Sequence, residues 1–169
     1  MLRQIVKYGD ETLHTPALEV DKITSDIRVL IEDMTETMYA AQGIGLAAPQ
    51  IGISLRIIVI DTSLGKNAND LISMINPKII EYAGIQKEEE GCLSLPGFEV
   101  IIPRPRRIVI QGLNQQGKTE TFEGTNLLAR AFQHELDHLE GSLYLDRLRG
   151  IKRELILKKI NKKLRGGTW

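Results

Sequence analysis

One predicted helix constrains the fold more than any other segment, because it is apolar on two faces. Residues 125–140 carry apolar side chains at helical spacing, and Gly141 supplies a stop signal. At about 100° per residue, Leu127 and Ala131 fall on the same narrow arc as two histidines, while other leucines and a phenylalanine lie opposite. Since a helix with two apolar faces must be covered on both of them, we predict that it is buried between layers.

The two histidines of this helix, His134 and His138, are four residues apart and therefore project from successive turns on one face. Two imidazoles in that arrangement can bind one metal ion, and Glu135 lies beside them, where a carboxylate can act on a metal-bound water. The spacing predicts a metallohydrolase site; the alternative is a pair of ordinary core or surface histidines. The third histidine, His14, has no partner at ligand spacing and is predicted to lie on the surface.

A tetrahedral catalytic metal site needs a third protein ligand, and Cys92 is the candidate. It is the only cysteine of the chain and lies in the glycine-framed segment Glu-Gly-Cys-Leu-Ser at residues 90–94. A metalloprotease helix of this kind is followed by a further His or Glu, but after Gly141 the chain has no histidine and only Glu154. A lone cysteine is otherwise often a small buried apolar residue, so this assignment depends on the histidine pair.

Two further helices are predicted, one near each end of the chain. Residues 24–43 carry an apolar stripe at helical spacing, with Thr24 or Ser25 as the cap and Gly43 as the stop. Residues 148–164 form a predicted C-terminal helix with many Lys and Arg. Its apolar stripe is predicted to consist of Ile151, Leu155, Ile160 and Leu164.

Strands are predicted from short runs rich in β-branched residues. These runs cover residues 55–61, 74–82, 99–102, 107–113 and 118–122. Asn76-Pro77 and the Pro-Arg-Pro segment at 103–105 are predicted edges or breaks, residues 43–50 a loop, and the last two runs a hairpin around Gly117. Helices that bracket antiparallel strands predict an α+β fold, with the strands packed around the central buried helix.

Composition limits the domain number, the compartment and the partners. A chain of 169 residues is long enough for one core and short for two, so we predict a single catalytic domain over residues 1–169, in which 148–169 form a basic helix and tail. Equal numbers of basic and acidic residues, 22 each, argue against a DNA-binding protein. One cysteine excludes a disulfide-stapled scaffold. No apolar run approaches a membrane span or a secretion signal, so we predict a cytoplasmic protein without a membrane partner.

Three segments, in this order, resemble the signature segments of the peptide deformylases. They are Gly-Ile-Gly-Leu-Ala-Ala-Pro-Gln at 43–50, Glu-Gly-Cys-Leu-Ser at 90–94 and Gln-His-Glu-Leu-Asp-His-Leu at 133–139. The resemblance implies that Cys92, His134 and His138 hold one divalent metal ion, with Glu135 as general acid and base. It further implies an oxyanion site made by the Gln50 side-chain amide and the Leu93 backbone N–H.

The same resemblance implies the substrate, the metal and a second interaction. The expected reaction removes the N-formyl group from the first methionine of nascent peptides, and the expected metal is Fe(II), with Zn(II), Ni(II) or Co(II) as substitutes. In the family, Gly45 pairs with the peptide backbone and Glu90 pairs with Arg104. The methionine pocket is expected to be lined by Ile44, Leu127, Ala131 and His134.

Two features beyond the signature segments bear on partners. Arg130 lies beside the pocket stripe and predicts a polar pocket mouth. The basic C-terminal helix, which holds Lys158, Lys159 and Lys162 among other cations, either is a solvated face or docks on ribosomal RNA near the peptide exit.

Two other hypotheses stay open at this point. Cys92 can be the nucleophile of a thiol hydrolase that needs no metal, or the chain can be a metal-binding module without catalytic activity. Chelation tests the first, and a formyl-peptide assay tests the second.

Overall fold

A computed structural model describes residues 1–167 and 169. The helices within these residues are α1 (Ser25–Ala40), α2 (Asn126–Leu139) and α3 (Gly150–Gly166). The strands are β1 (Gly45–Ala47), β2 (Ile57–Ile60), β3 (Ile72–Ala83), β4 (Gln86–Cys92), β5 (Leu95–Arg104), β6 (Arg107–Leu113) and β7 (Thr119–Thr125). Short 3-10 turns lie at Glu11–His14, Ala48–Ile51, Ala68–Asp70 and Tyr144–Arg147. All strand pairs named here are antiparallel, and the predicted α+β class is confirmed.

Five strands form one sheet in the order β1-β2-β3-β6-β7, and a helix packs on each of its faces. The side chains of β2 alternate between the two faces of the sheet. All four residues are fully buried because both faces are covered by a helix. Ile58 and Ile60 belong to the core cluster that holds Phe132 of α2, whereas Ile57 and Val59 belong to the cluster of α1. The sheet thus packs against α2 with one face and against α1 with the other.

Strands β4 and β5 form a separate two-stranded hairpin, and Cys92 lies at its turn opposite Leu95. A third core cluster joins this hairpin to the C-terminal part of the chain through Leu95, Ile102, Tyr144 and Ile160. The hairpin also contacts α2, because Glu90 of β4 bonds His134 and Arg104 of β5 pairs with Asp137.

Two strand predictions differ from the structure. The predicted loop at 43–50 contains β1 and the 3-10 turn Ala48–Ile51, and β4 has no counterpart among the predicted strands. Asn76-Pro77 is a break in the strand pairing, as predicted, but it does not end the strand: β3 continues through a bulge, where Asn76 has a φ of 53° and its side chain bonds Val20. Pro103 lies within β5 opposite Lys87, because β5 has no second strand partner in the described chain and its outer edge needs no donor.

The apolar stripe predicted for the C-terminal helix is wrong. Of its members only Ile160 is fully buried, whereas Ile151 and Leu155 are 74% and 54% exposed. The face of α3 that packs on the third core cluster is formed by Ile156, Leu157 and Ile160. These three residues follow the three- and four-residue steps of a helix, which the predicted five-residue step from 155 to 160 does not.

The helix ends depend on local capping. Thr24 caps α1 by accepting from the Ile27 N–H at 3.4 Å, and α1 ends at Ala40, before the predicted stop at Gly43. Gly141 follows the C-cap of α2 with a φ of 75°, a conformation that glycine adopts most easily. None of the helices in the described residues is both long and apolar enough to cross a bilayer.

Candidate metal centre

The thiol and the two imidazoles meet where the β4–β5 turn faces α2. The metal-binding atoms of Cys92, His134 and His138 all lie within 4.8 Å of one another. Cys92 Sγ is 3.4 Å from His138 Nε2, although 46 residues separate them in the sequence. One sulfur and two nitrogens at this spacing fit a single tetrahedral transition-metal ion, with a fourth position left for water.

His134 is oriented for such an ion by a carboxylate behind it. Its Nδ1 lies 3.2 Å from Glu90 Oε2, which leaves Nε2 to face the other two ligand atoms. Glu90 in turn forms a bidentate ion pair with the buried Arg104. Arg104 Nε donates to Glu90 Oε1, and Nη2 donates to Oε2 at 2.8 Å. The pairing expected from the resemblance is therefore buried here, where a broken pair costs more than at the surface.

The ion pairs continue from Arg104 along the far side of α2. Arg104 Nη1 lies 3.0 Å from Asp137 Oδ2, and Arg147 donates to both Asp137 oxygens at 2.8 Å. Burial opposes ionisation of Asp137, but these two arginines hold its pKa below the usual value. The network fixes the helix that carries both histidines to the hairpin that carries Cys92.

The pKa values of the two imidazoles are shifted in opposite directions. Burial, with the nearby charge of His134, lowers the pKa of His138 well below its usual value, which favours the neutral ring that a metal needs. Burial also acts to lower the pKa of His134, but hydrogen bonds to Cys92 and Glu90 raise it well above the usual value. The surroundings of His134 thus favour a positive charge, and a bound cation would supply one.

Glu135 is buried beside the cluster, and burial raises its pKa to about 7. Its Oε2 has no hydrogen-bond partner in the described part of the chain, so it is free to bond a water or a substrate. A Cβ on Gly45 would lie 2.6 Å from Glu135 Oε1. A side chain at position 45 would therefore displace the Glu135 carboxylate, a reason for glycine that the sequence does not reveal.

The predicted oxyanion residues lie on the other side of Cys92. The Gln50 side chain is fixed because its Oε1 accepts from the Ala47 N–H at 2.9 Å. Its Nε2 points to the centre, 3.6 Å from Cys92 Sγ and 3.4 Å from Ser94 Oγ. Leu93 follows Cys92 directly, at the edge of the same cavity.

A cavity of about 400 Å³ opens over this cluster. Of the site residues predicted from the sequence, His138 alone does not line it, and His138 is fully buried. The predicted residues that do line it are Ile44, Gly45, Gln50, Cys92, Leu93, Leu127, Ala131, His134 and Glu135, and the predicted polar residue Arg130 joins them. His14 lies outside the cluster and is exposed, as predicted.

Two sets of residues at the site were not predicted. Phe98, Gln42 and Glu89 line the cavity, and Tyr144 donates its hydroxyl proton to the Phe98 carbonyl at 2.6 Å. Asp137 lies inside the predicted helical motif, but its arginine partners are distant in sequence, so no local spacing could have assigned it a role.

An α+β chain that brings a thiol, two imidazoles and a buried carboxylate to one cavity has the arrangement of a metallohydrolase. The sequence model of the family described as polypeptide deformylase matches residues 2–154. A peptide deformylase of Acidobacterium capsulatum is 48% identical over 169 residues, which cover 100% of this chain and 99% of that protein. The chain belongs to the polypeptide deformylase family, whose members are amide hydrolases that act on formyl-methionyl peptides.

Solved structures agree with this assignment. The crystal structure of a peptide deformylase from Legionella pneumophila matches with a TM-score of 0.92 at 39% identity, covering 99% of this chain and 98% of that one. A peptide deformylase from Synechococcus elongatus, solved in complex with actinonin, matches with a TM-score of 0.88 at 38% identity, over 95% of this chain and 87% of that one.

Proposed function

We propose that this chain removes the N-formyl group from the first methionine of newly synthesised peptides in a metal-dependent reaction. The observation that carries the proposal is the convergence of Cys92, His134 and His138 beside a cavity that Glu135 lines. Residues 1–169 act as one catalytic domain in this proposal. Its expected place is the cytoplasm, where formylated chains are made.

Cys92, His134 and His138 would hold one divalent cation. When bound, the cation lowers the pKa of a water ligand toward neutrality and polarises the formyl carbonyl. Sulfur and imidazole donors accept Fe(II), Zn(II), Ni(II) and Co(II), so the donors alone do not select among them. Fe(II) is the proposed native ion because the three signature segments resemble those of the peptide deformylases.

Glu135 and the oxyanion donors act on the formyl amide. Glu135 takes a proton from the attacking water, a bond forms from the water oxygen to the formyl carbon, and Gln50 Nε2 and the Leu93 N–H bind the developing oxyanion. Glu135 then gives the proton to the peptide nitrogen as the carbon–nitrogen bond breaks. The products are formate and a peptide with a free amino group.

The cavity walls bind the peptide in an extended form. Gly45, at the start of edge strand β1, pairs with the peptide backbone, and the missing side chain permits close approach. Ile44, Leu127 and Ala131 form the apolar surface for the methionine side chain.

Formate release from a formyl-Met-Ala-Ser peptide tests the function. Protein purified without oxygen should carry about one metal ion per chain and lose both metal and activity together on chelation. Added Fe(II), Ni(II) or Co(II) should restore activity, and the Fe(II) enzyme should decay fastest in air as the iron and Cys92 oxidise. Full activity after complete metal removal would contradict the proposal and favour a thiol hydrolase.

Gln50→Ala tests the oxyanion site. Because Gln50 donates through its side chain and is not one of the metal ligands, the variant should keep its metal but lose about 10² to 10³ in kcat. Steady-state kinetics with metal analysis measure both effects. The matched control Gln42→Ala, at an exposed position on the cavity rim, should change kcat little; equal losses in the two variants would remove Gln50 from the mechanism.

Ribosome docking by the basic C-terminal helix stays a prediction. Most of the cations along α3 are exposed, and so are Ile151 and Leu155 of the same helix. Sedimentation with ribosomes at rising salt concentration is the measurement that checks it, since binding to RNA phosphates should weaken steeply with salt.

A further inference from the structure

A second cavity, of about 520 Å³, adjoins the one at the metal centre. Leu127 and Arg130 line both cavities and so form a shared wall. Strand β4 also connects them, because its residues 89–92 line the first cavity and its residues 86–88 line the second.

The second cavity carries an excess of positive charge. Lys87, Arg106 and Arg130 line it against a single acid, Glu88. In the described part of the chain none of the three cationic side chains has an ion pair or a hydrogen bond, whereas Arg104 and Arg147 nearby are each paired with carboxylates. Helix α2 begins at Asn126 in the same wall without a side-chain cap, which adds the positive end of its dipole. An anionic group is the chemical class that this cavity fits.

An extended peptide bound at the metal centre would run toward this cavity. Strand β4 pairs with β5 alone among the described strands, so its other edge is available to a peptide strand. A formyl group at the cluster lies near Cys92, at the end of β4, and the peptide then runs antiparallel to β4. When the first methionine is level with Gly91 and each later residue lies one position further along β4, the fourth and fifth residues come level with Glu88 and Lys87.

We propose that the second cavity binds the carboxylate side chain of an acidic residue at the fourth or fifth position of the formylated peptide. This inference rests on the proposed function, because it assumes that the formyl group lies at the metal centre. The preference is specific to these positions, since the first cavity has the acids Glu89 and Glu99 on its rim and does not favour an acidic residue directly after methionine.

Paired substrates measure the preference. Pentapeptides with Glu or Lys at position four, and a second pair with Glu or Lys at position five, are compared by the ratio of kcat/KM within each pair, which cancels any loss common to both peptides. In at least one pair the wild-type enzyme should favour Glu by about fivefold at low salt, the range of an exposed ion pair. The double variant Lys87→Glu with Arg106→Glu should lose or invert this ratio. Lys66→Glu, an exposed cation outside both cavities, should retain it.

Each outcome has one interpretation. Equal kcat/KM for the Glu and Lys peptides at both positions in an active wild-type enzyme would overturn the inference and leave the proposed function intact. A Glu preference of the same size at position two would also overturn it, because it would reflect overall charge. Failure of the metal-loaded wild-type enzyme to hydrolyse either peptide would contradict the proposed function itself.

Discussion

Glu135→Ala is expected to lower kcat for formyl-methionyl peptides by about 10² to 10⁴ while the metal content stays unchanged. Glu135 lies in the cavity beside the ligand cluster, its Oε2 lacks a partner among the described residues, and its pKa of about 7 suits both proton uptake and release near neutral pH. Glu90 does not replace it, because Glu90 is bonded to Arg104 and His134. Rapid kinetics together with metal analysis test the prediction.

Two comparison variants separate proton transfer from packing. Glu135→Gln keeps the side-chain shape that Gly45 accommodates, so a loss as large as that of Glu135→Ala identifies the proton rather than the packing as the cause. Glu99→Ala removes an exposed carboxylate from the same cavity and should change kcat only slightly. If Glu135→Gln reacts at the wild-type rate, Glu135 is not the acid and base.

The fold is predictable where a local pattern decides it. Strand β2 is a run of isoleucine and valine, which needs burial on both faces, and the hairpin β6–β7 has a glycine at its turn. Strand β4 has no such pattern: its sequence Gln-Lys-Glu-Glu-Glu-Gly-Cys is polar and is held by pairing with β5 and by burial of Glu90. Tertiary pairing of this kind leaves little local signal.

The candidate site is likewise predictable only where a local sequence pattern places its residues together. His134, Glu135 and His138 share one helix, so their spacing alone predicts that they lie together. Cys92 could be proposed because it is the only thiol, not because any pattern places it 3.4 Å from His138. The network from Glu90 through Arg104 to Asp137 joins three elements, and its assembly depends on the tertiary fold.

Cys92→Ala is expected to abolish metal retention and, with it, activity. Removing a ligand should weaken metal binding by more than the roughly 10- to 100-fold that changes behind the ligands cause. The fold should survive, because the residue is only partly buried at a hairpin turn and a methyl group fits its place. Metal analysis after gel filtration measures retention, and circular dichroism checks the fold.

The control for this variant is His14→Ala, which removes an exposed histidine distant from the cluster and should keep a full complement of metal. Metal content, rather than activity, is the deciding readout, because a thiol nucleophile and a metal-binding thiolate both predict an inactive Cys92→Ala enzyme. An inactive variant with its metal fully retained would make Cys92 a nucleophile. An inactive variant without metal would leave the thiolate as the third ligand, since only that role couples the sulfur to the ion held by His134 and His138.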